Sequence, residues 1–253
     1  MALSKNTFID FRDEEQTPIF AGSNVIATAS ATPATYFRLH GQYLEFYQGS
    51  ANTALAFTPA STGWTVPLDN GAGEYLEITQ GILANVSKRF VIGTDTAFHF
   101  SLGGYVTTIA RHLLCFAGFR RLAAYADTSS VANCLTAYTD RAAIGWNTTG
   151  GAVVTQTSLN NSDTSTTLAH AAIANATWFA LRVNVSAAGV VTYRIGTSLV
   201  SWAAAKAALA ADASAVAFTF DSTDVVVPQF CLVSGNAGSV GDVELIEWDC
   251  ALD

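Results

Sequence analysis

The sequence predicts an all-β protein, a two-sheet antiparallel sandwich with one short helix and an N-terminal arm plus hairpin. Two observations predict this fold class. Nearly all periodic segments alternate polar and apolar residues with period two, which is typical of half-buried strands. These segments are also short, and polar or glycine-containing turns separate many of them, as in a sandwich or barrel.

The first part of the chain, residues 1–62, is predicted to be an N-terminal arm and β-hairpin extension of a β-sandwich domain at residues 63–253. The stretch 10–15 is irregular and charged, which favours an arm. The stretch TYFRLHGQYLEFY predicts a hairpin whose turn is His40-Gly41. The boundary is placed in TPASTGWTVP, where two prolines and a glycine interrupt the pattern.

Alternation predicts a succession of strands over the rest of the chain. The stretch HLLCFAGF is apolar on both faces, so it is expected in a central strand covered on both sides, or in one whose outer face meets a partner. The polar runs NTTGG and LNNSDTSTT are interpreted as connections. The predicted strands are 75–79, 90–92, 98–102, 113–119, 142–146, 152–157, 177–185, 191–195, 215–220, 225–232 and 243–248.

One helix is predicted over 201–212, in SWAAAKAALAAD. Ser201 is its expected N-cap, and alanine favours its interior. Trp202, Ala205 and Leu209 fall on one face, so this helix is expected to cover a sheet edge or the mouth of the sandwich.

The stretch TWFALRVNVSAAGVVTYRI predicts a hairpin of defined register. The apolar residues of its two strands share a face only if the loop has an odd number of residues, and the three-residue loop Ala187-Ala188-Gly189 meets this condition. Arg182 then lies directly opposite Arg194, and facing like charges cost roughly 0.2–1 kcal/mol. Either both side chains extend into water over Trp178 and Thr192, or a carboxylate lies between them. That carboxylate would come from elsewhere in the fold, from another subunit or from a ligand.

The composition argues against several classes of partner. The formal net charge is −8 and the pI is about 4.8, which disfavours binding to nucleic acid or to an anionic membrane. Half of the residues are hydrophobic and 13% are charged, and lysine occurs only as Lys5, Lys88 and Lys206. Such a chain is expected to bury outer surface against another molecule. The N-terminus lacks an apolar segment, so no secretory signal is predicted.

No catalytic residue, metal ligand or cofactor is predicted, and the protein is expected not to be an enzyme. Alternation in GDVELIEWDC places Asp242 and Glu244 on the face of Ile246 and Trp248, which leaves too few aligned acids for a glycoside hydrolase. The four histidines lack metal-type spacing. Calcium in 159–167 is disfavoured because Asp163 is the only carboxylate there. Buried free thiols are predicted for Cys115, Cys134, Cys231 and Cys250.

The phrases FVIGTDTAFHFSLGGYV, YTDRAAIGWN, TWFALRVNVSAAGVVTYRIG and VAFTFDSTDVVVPQF follow one another in a pattern that resembles concanavalin/laminin-G-like β-sandwich virion proteins of tailed bacteriophages. The resemblance covers roughly residues 63–253. It implies a jelly-roll-like sandwich with a structural role, usually as a capsid decoration (cement) protein or as another outer virion component. Such a protein would bind the major capsid protein on the outer capsid surface, commonly as a trimer, after synthesis in the host cytoplasm.

The expected interface residues are Arg182, Arg194 and Trp178 of the hairpin, with Phe8, Phe11 and Arg12 of the arm. The arginines are hypothesised to bind carboxylates at a subunit contact. The main alternative is a carbohydrate-binding module on a virion fibre or surface, with a surface glycan as partner. For that alternative, Trp146 and Trp202 are the candidate exposed aromatic residues. A third alternative is a sandwich hydrolase or lyase that uses Glu244.

Overall fold

The fold is a sandwich of two large antiparallel sheets, as the sequence predicts. A computed structural model describes residues 7–10, 25–26, 35–39, 42–48, 55–56, 58–59, 62–66, 75–82, 85–86, 88–123, 137–147, 150–212, 214–235 and 243–253. Within these residues almost every regular element is a strand.

The strands are numbered in chain order, and the α-helix that the described residues contain is α1 (Trp202–Ala207). A 3₁₀ turn spans Ile109–Arg111. The strands are β1 (Thr7–Asp10), β2 (Val25–Ile26), β3 (Thr35–Leu39), β4 (Gln42–Gln48), β5 (Leu55–Ala56), β6 (Thr58–Pro59), β7 (Trp64–Val66), β8 (Tyr75–Thr79), β9 (Gly81–Ile82), β10 (Asn85–Val86), β11 (Phe90–Val91), β12 (Phe98–Val106), β13 (His112–Arg121), β14 (Arg141–Trp146), β15 (Val153–Leu159), β16 (Ser162–Thr167), β17 (Thr177–Val185), β18 (Val190–Ser198), β19 (Ala210–Ala211), β20 (Phe218–Thr219), β21 (Val225–Ser234) and β22 (Val243–Leu252).

The two large sheets each contain nine strands. The first sheet has the order β19-β18-β17-β12-β22-β7-β6, with β1 beside β22 and β20 beside β18. The second has the order β16-β15-β14-β13-β21-β8-β4-β3, with β11 beside β21. Two small ladders, β9-β10 and β2-β5, complete the pairing.

The core lies between the two sheets and is built from the alternating apolar positions of both. In β17, for example, Phe179, Leu181 and Val183 are fully buried in it. Aromatic rings fill its centre: Phe90 stacks on Phe98 with ring centroids 4.3 Å apart. Because these positions repeat with period two, the alternate residues of each strand form a separate outer face of the sheet.

The second sheet is buried on its outer face as well, as HLLCFAGF indicated for a central strand. An apolar cluster lies there, formed by Leu114, Phe116, Ala143, Val154, Cys231 and Val233. Beside it, Arg120 Nε donates a hydrogen bond to Glu77 Oε1 at 2.8 Å, and both side chains are inaccessible to solvent. Tyr138 completes this buried group, because its hydroxyl donates to Glu77 Oε2 at 2.7 Å and its ring lies 4.3 Å from the Arg120 guanidinium.

The β17–β18 hairpin has the predicted register. Arg182 pairs with Arg194, Gly189 adopts a positive φ of 85°, and Ser186 donates its backbone N–H to Val190. The N-terminal segments pair with both sheets: β1 lies along β22, and the β3–β4 hairpin joins the second sheet through β8. The domain boundary at residues 62 and 63 stays a prediction.

Two predictions about secondary structure were wrong. The run LNNSDTSTT is not a plain connection, because it forms the β15–β16 hairpin, whose turn residues Asn160 and Asn161 both have positive φ. The helix begins at its predicted cap, where Ser201 accepts a hydrogen bond from the Ala204 N–H. It ends at Ala207 rather than residue 212, since the chain next forms β19 against β18.

Candidate functional site

The outer face of the first sheet carries the candidate functional residues, and helix α1 divides it. A methyl group added at Gly103 would overlap the Trp202 ring, and one added at Gly196 would overlap the backbone of Ala205. The helix therefore lies directly on the sheet, over β12 and β18, and not at an edge or at the mouth of the sandwich as predicted. Glycine is required at these two positions because even a methyl group there would overlap the helix.

On one side of α1 lies what we call the arginine row: Phe8, Asp249, Ser101, Arg182 and Arg194. These residues pair in succession across β1, β22, β12, β17 and β18, so their side chains share a face. Phe8 is 54% exposed, and Arg194 is also exposed.

A polar network joins the arginine row to its neighbours. Arg182 donates through Nε to Asn184 Oδ1 at 2.7 Å and through Nη2 to Asp253 Oδ1 at 3.3 Å. The ring nitrogens of His99 lie 2.6 Å from Asp253 Oδ1 and 3.1 Å from Asp249 Oδ2. A neutral imidazole carries a single N–H, so both contacts are hydrogen bonds at once when the ring is protonated.

This network accounts for the facing arginines. A carboxylate from the same chain, that of Asp253, contacts Arg182, whereas Arg194 forms no hydrogen bond or ion pair with the described residues. The repulsion between the two like charges is reduced because Arg182 has a partner in the same chain and Arg194 extends into solvent. Of the two arginines, Arg194 is therefore the one available to bind a carboxylate of a partner molecule.

On the other side of α1 lies what we call the aromatic row: Thr65, Glu244, Tyr105, Trp178 and Ser198. These residues pair in succession across β7, β22, β12, β17 and β18, and all are partly exposed. The Tyr105 and Trp178 rings are in contact, with centroids 4.7 Å apart and an interplanar angle of 50°. The row lies roughly 13 Å from the arginine row, four residues away along β17.

Glu244 faces outward because of a β-bulge, which overturns the predicted face assignment. The register between β12 and β22 shifts at Gly103 and Gly104, so that Gly103 pairs with Glu247 and Gly104 with Leu245. One extra residue reverses the alternation. As a result Trp248 points into the core, and Glu244 does not share its face.

The Glu244 carboxylate has no partner among the described residues. Its Oε2 is shielded from solvent and forms no hydrogen bond there, and burial raises the pKa of this carboxyl above its ordinary value. Glu247 differs, because Lys206 Nζ donates to its Oε1 at 2.8 Å and to its Oε2 at 2.6 Å. The same ammonium lies 5.7 Å from the Phe8 ring centroid and 5.9 Å from that of Trp202.

The structure separates the predicted site residues. Arg182, Arg194 and Phe8 share one row, but Trp178 lies in the other row, against Tyr105. Phe11 and Arg12 fall outside the described residues. Whether any of these residues forms an interface stays a prediction.

The aromatic residues proposed from the sequence for glycan binding are unsuitable. Trp146 is fully buried in the core, and Trp202 is 7% exposed beneath its own helix. Tyr105 and Trp178 are the partly exposed pair instead. Sequence reasoning missed them as a pair because they come from strands far apart in the chain. The odd-even pattern of each strand nevertheless assigns both to the outer face.

A group of acids lies elsewhere, at the ends of β14, β20 and β21. One carboxylate oxygen from each of Asp140, Asp221 and Asp224 lies within 4.8 Å of the others, a donor set that suits a hard cation. Arg121 already supplies positive charge, with Nη1 at 3.1 Å from Asp140 and Nε at 3.9 Å from Asp224. Burial, and then the neighbouring Asp140, raise the pKa of Asp224. Asp163 is not part of this group.

The thiol predictions agree with the structure where it describes them. Cys115, Cys231 and Cys250 are buried thiols outside any disulfide, and burial raises the pKa of the Cys115 and Cys250 thiols. Cys134 lies outside the described residues. No helix in the described part of the chain has the length and hydropathy needed to span a bilayer.

Comparison with known proteins supports the fold and no more. No family model matches the chain, and no curated protein does. A protein of unknown function from Shewanella oneidensis MR-1 has a similar structure, with a TM-score of 0.50 and 8% identity over 100% of this chain and 90% of that one. At this identity the likeness shows a shared fold alone.

Weaker likenesses are to β-sandwich binding domains. The carbohydrate recognition domain of Emp46p has a TM-score of 0.46 and 8% identity, over 81% of this chain and 87% of that one. The binding domain of botulinum neurotoxin DC, solved in complex with SialylT, has a TM-score of 0.44 and 8% identity, over 86% of this chain and 46% of that one. This chain therefore spans about half the length of the toxin domain. None of these neighbours provides a link to phage virions.

Proposed function

We propose that the protein is a non-catalytic binding module that recognises a saccharide at the aromatic row. The observation that carries this proposal is the pair of partly exposed rings, Tyr105 and Trp178, beside the Glu244 carboxylate, which has no partner in the described part of the chain. Pyranose rings present C–H groups on their faces and hydroxyl groups around their edges. An aromatic surface next to a hydrogen-bond acceptor matches both features.

The surroundings of the aromatic row favour binding over catalysis. Glu247, the next acid along β22, is already neutralised by Lys206. The arrangement therefore offers a stacking surface and one acceptor, which orient a ligand, rather than the two free carboxyl groups of a glycoside hydrolase. The hydroxyl-bearing residues at the ends of the row, Thr65 and Ser198, extend the polar rim of the surface.

The proposal is tested by glycan-array binding, followed by calorimetry on the saccharide that binds. Trp178→Ala is expected to weaken binding at least tenfold, about the effect of removing an aromatic hot spot. Phe8→Ala is the matched control, because Phe8 is an exposed aromatic residue of the arginine row on the far side of α1. It is expected to leave the affinity unchanged.

A folded wild-type protein that binds no saccharide on the array would overturn the proposal. So would a saccharide whose affinity is the same for Trp178→Ala and for the wild type. Thermal unfolding of each variant shows that a loss of binding does not reflect a loss of fold.

A second candidate function is the decoration of a phage capsid, which the resemblance of the strand phrases favours. In this proposal the exposed side chains of Phe8 and Arg194 provide the docking surface for the major capsid protein or for another subunit of a trimer. Arg194 is a cation with no ion pair to any residue that the structure describes, which suits an acidic partner.

This candidate is tested by adding purified protein to undecorated particles and measuring retention after sedimentation. Arg194→Ala is expected to lower retention, and Trp178→Ala serves as the control because it lies in the other row. Retention that is equal for the wild type and Arg194→Ala would reject the role of Arg194. Absence of the protein from the particles would reject the function.

A further inference from the structure

The acids of β22 differ in what neutralises them. Glu247 is paired with Lys206, and Asp249 lies 3.1 Å from His99. Glu244 has no cationic partner among the described residues, although its Oε2 is withdrawn from water. A carboxylate with one oxygen withdrawn from water and no partner among the described residues is unfavourable, so the site gains most from a ligand that brings a positive charge or a strong donor.

The fold already contains a complete version of such a site. The Lys206 ammonium is held by the Glu247 carboxylate and lies near the rings of Phe8 and Trp202. A carboxylate and two aromatic rings thus suffice, on this same sheet face, to bind an ammonium group through an ion pair and cation–π attraction. Glu244, Tyr105 and Trp178 provide the same three groups without the ammonium.

We propose that the aromatic row selects saccharides that carry a free, protonated amine, with the ammonium at Glu244 and the pyranose face against Trp178. This inference rests on the proposed saccharide binding and adds the class of sugar. N-acetylation removes the charge and enlarges the substituent, so acetylated sugars bind less well. Burial raises the pKa of Glu244, so the preference for the amine weakens as the pH falls through the titration of that carboxyl.

The test uses three β-1,4-linked tetrasaccharides that differ only at C2: the tetramer of glucosamine, the tetramer of N-acetylglucosamine, and cellotetraose. Affinities are measured by calorimetry at several pH values, up to the highest at which the amines remain charged, because a higher pH favours the ionised Glu244 carboxylate. The wild type is expected to bind the glucosamine tetramer about tenfold more tightly than cellotetraose, close to the lower end of what a hydrogen bond to a charged group contributes.

Two variants separate the charge from the stacking surface. Glu244→Gln keeps the shape and removes the charge, so it is expected to reduce the amine preference to within about twofold while cellotetraose binding persists. Glu247→Gln is the matched control, because that acid serves Lys206 within the fold; it is expected to keep the preference. Trp178→Ala is expected to weaken binding of all three tetramers at least tenfold.

The outcomes distinguish this inference from the function on which it rests. Equal affinity for the glucosamine tetramer and cellotetraose, both dependent on Trp178, would overturn the amine preference and leave saccharide binding in place. An amine preference that survives Glu244→Gln would also overturn it. If no saccharide bound through Trp178, both proposals would fail.

Discussion

The docking of helix α1 on the sheet yields the most direct test of the structure, through the substitution Gly103→Ala. The added methyl group would lie 2.6 Å from Cζ2 and 2.7 Å from Cζ3 of Trp202, well inside van der Waals contact. Overpacking of a tight site of this kind costs typically about 1–3 kcal/mol. For a chain of this size, a loss of about 2 kcal/mol lowers Tm by about 4–8 °C.

The assay is thermal and urea unfolding of four proteins: the wild type, Gly103→Ala, Trp202→Ala and the double variant. Because Trp202→Ala removes the ring that the methyl group meets, the free-energy cost of Gly103→Ala is expected to be about 1–2 kcal/mol smaller in that background. Ser101→Ala, on the same face of β12, is the control: it adds no atom against Trp202, so its cost is expected to be the same with and without that ring.

Two results would refute this reasoning. Gly103→Ala with unchanged stability would mean that Trp202 does not lie over Gly103. An equal cost in both backgrounds would mean that the cost comes from the strand itself and not from the ring. Trp202 packs in the cluster that Tyr105 and Trp178 border, so Gly103→Ala is also expected to weaken ligand binding at the aromatic row.

Two further predictions concern buried charges. Glu77→Ala leaves Arg120 buried without its carboxylate, and it is expected to destabilise the protein by about 3–5 kcal/mol in urea unfolding. Replacing both residues by methionine is expected to recover most of that loss. A cost below about 1 kcal/mol for Glu77→Ala would contradict the buried pair. Burial lowers the pKa of Lys88 from 10.5 to about 8. Between these pH values the unfolded state binds more protons than the folded state, so this residue makes the free energy of unfolding rise with pH, by up to about 3 kcal/mol. Buried thiols make the free energy of unfolding fall with pH, so the quantity measured is the difference in pH dependence of stability between the wild type and Lys88→Met. Parallel curves of stability against pH for the two proteins would disprove the lowered pKa of Lys88.

Local pattern was sufficient to predict the hairpin that carries the arginines. The parity of apolar positions in β17 and β18 allows only an odd loop, and that loop sets Arg182 against Arg194. Local pattern also predicted the helix cap at Ser201, because its side chain accepts a hydrogen bond from the Ala204 N–H, only three residues along the chain. In each case the information lies within a few residues of the chain, where steric rules apply directly.

Prediction failed where distant contacts or turn chemistry decide the outcome. Alanine-rich sequence favours continuing the helix past Ala207, but pairing of Ala210–Ala211 with β18 prevails over that intrinsic preference. The run LNNSDTSTT has the composition of a loop, yet Asn160-Asn161 supplies the two positive φ angles that a tight hairpin needs. The asparagine pair carries this signal in the sequence, but the strand that follows it, Ser162–Thr167, is polar on both faces and lacks the alternation that indicates a strand.

The face on which Glu244 lies shows why the candidate site itself could not be predicted. Strict alternation along GDVELIEWDC assigns Glu244 and Trp248 to one face, and Trp248 is a core residue. That assignment would bury the carboxylate between the sheets. The bulge opposite Gly103 and Gly104 inserts Ile246, which packs under α1, and so returns Glu244 to the outer face beside Tyr105. The glycine pair marks this position in the sequence, but only the pairing of β12 with β22 shows which strand bulges. The binding surface proposed for this protein therefore depends on one extra residue in one strand.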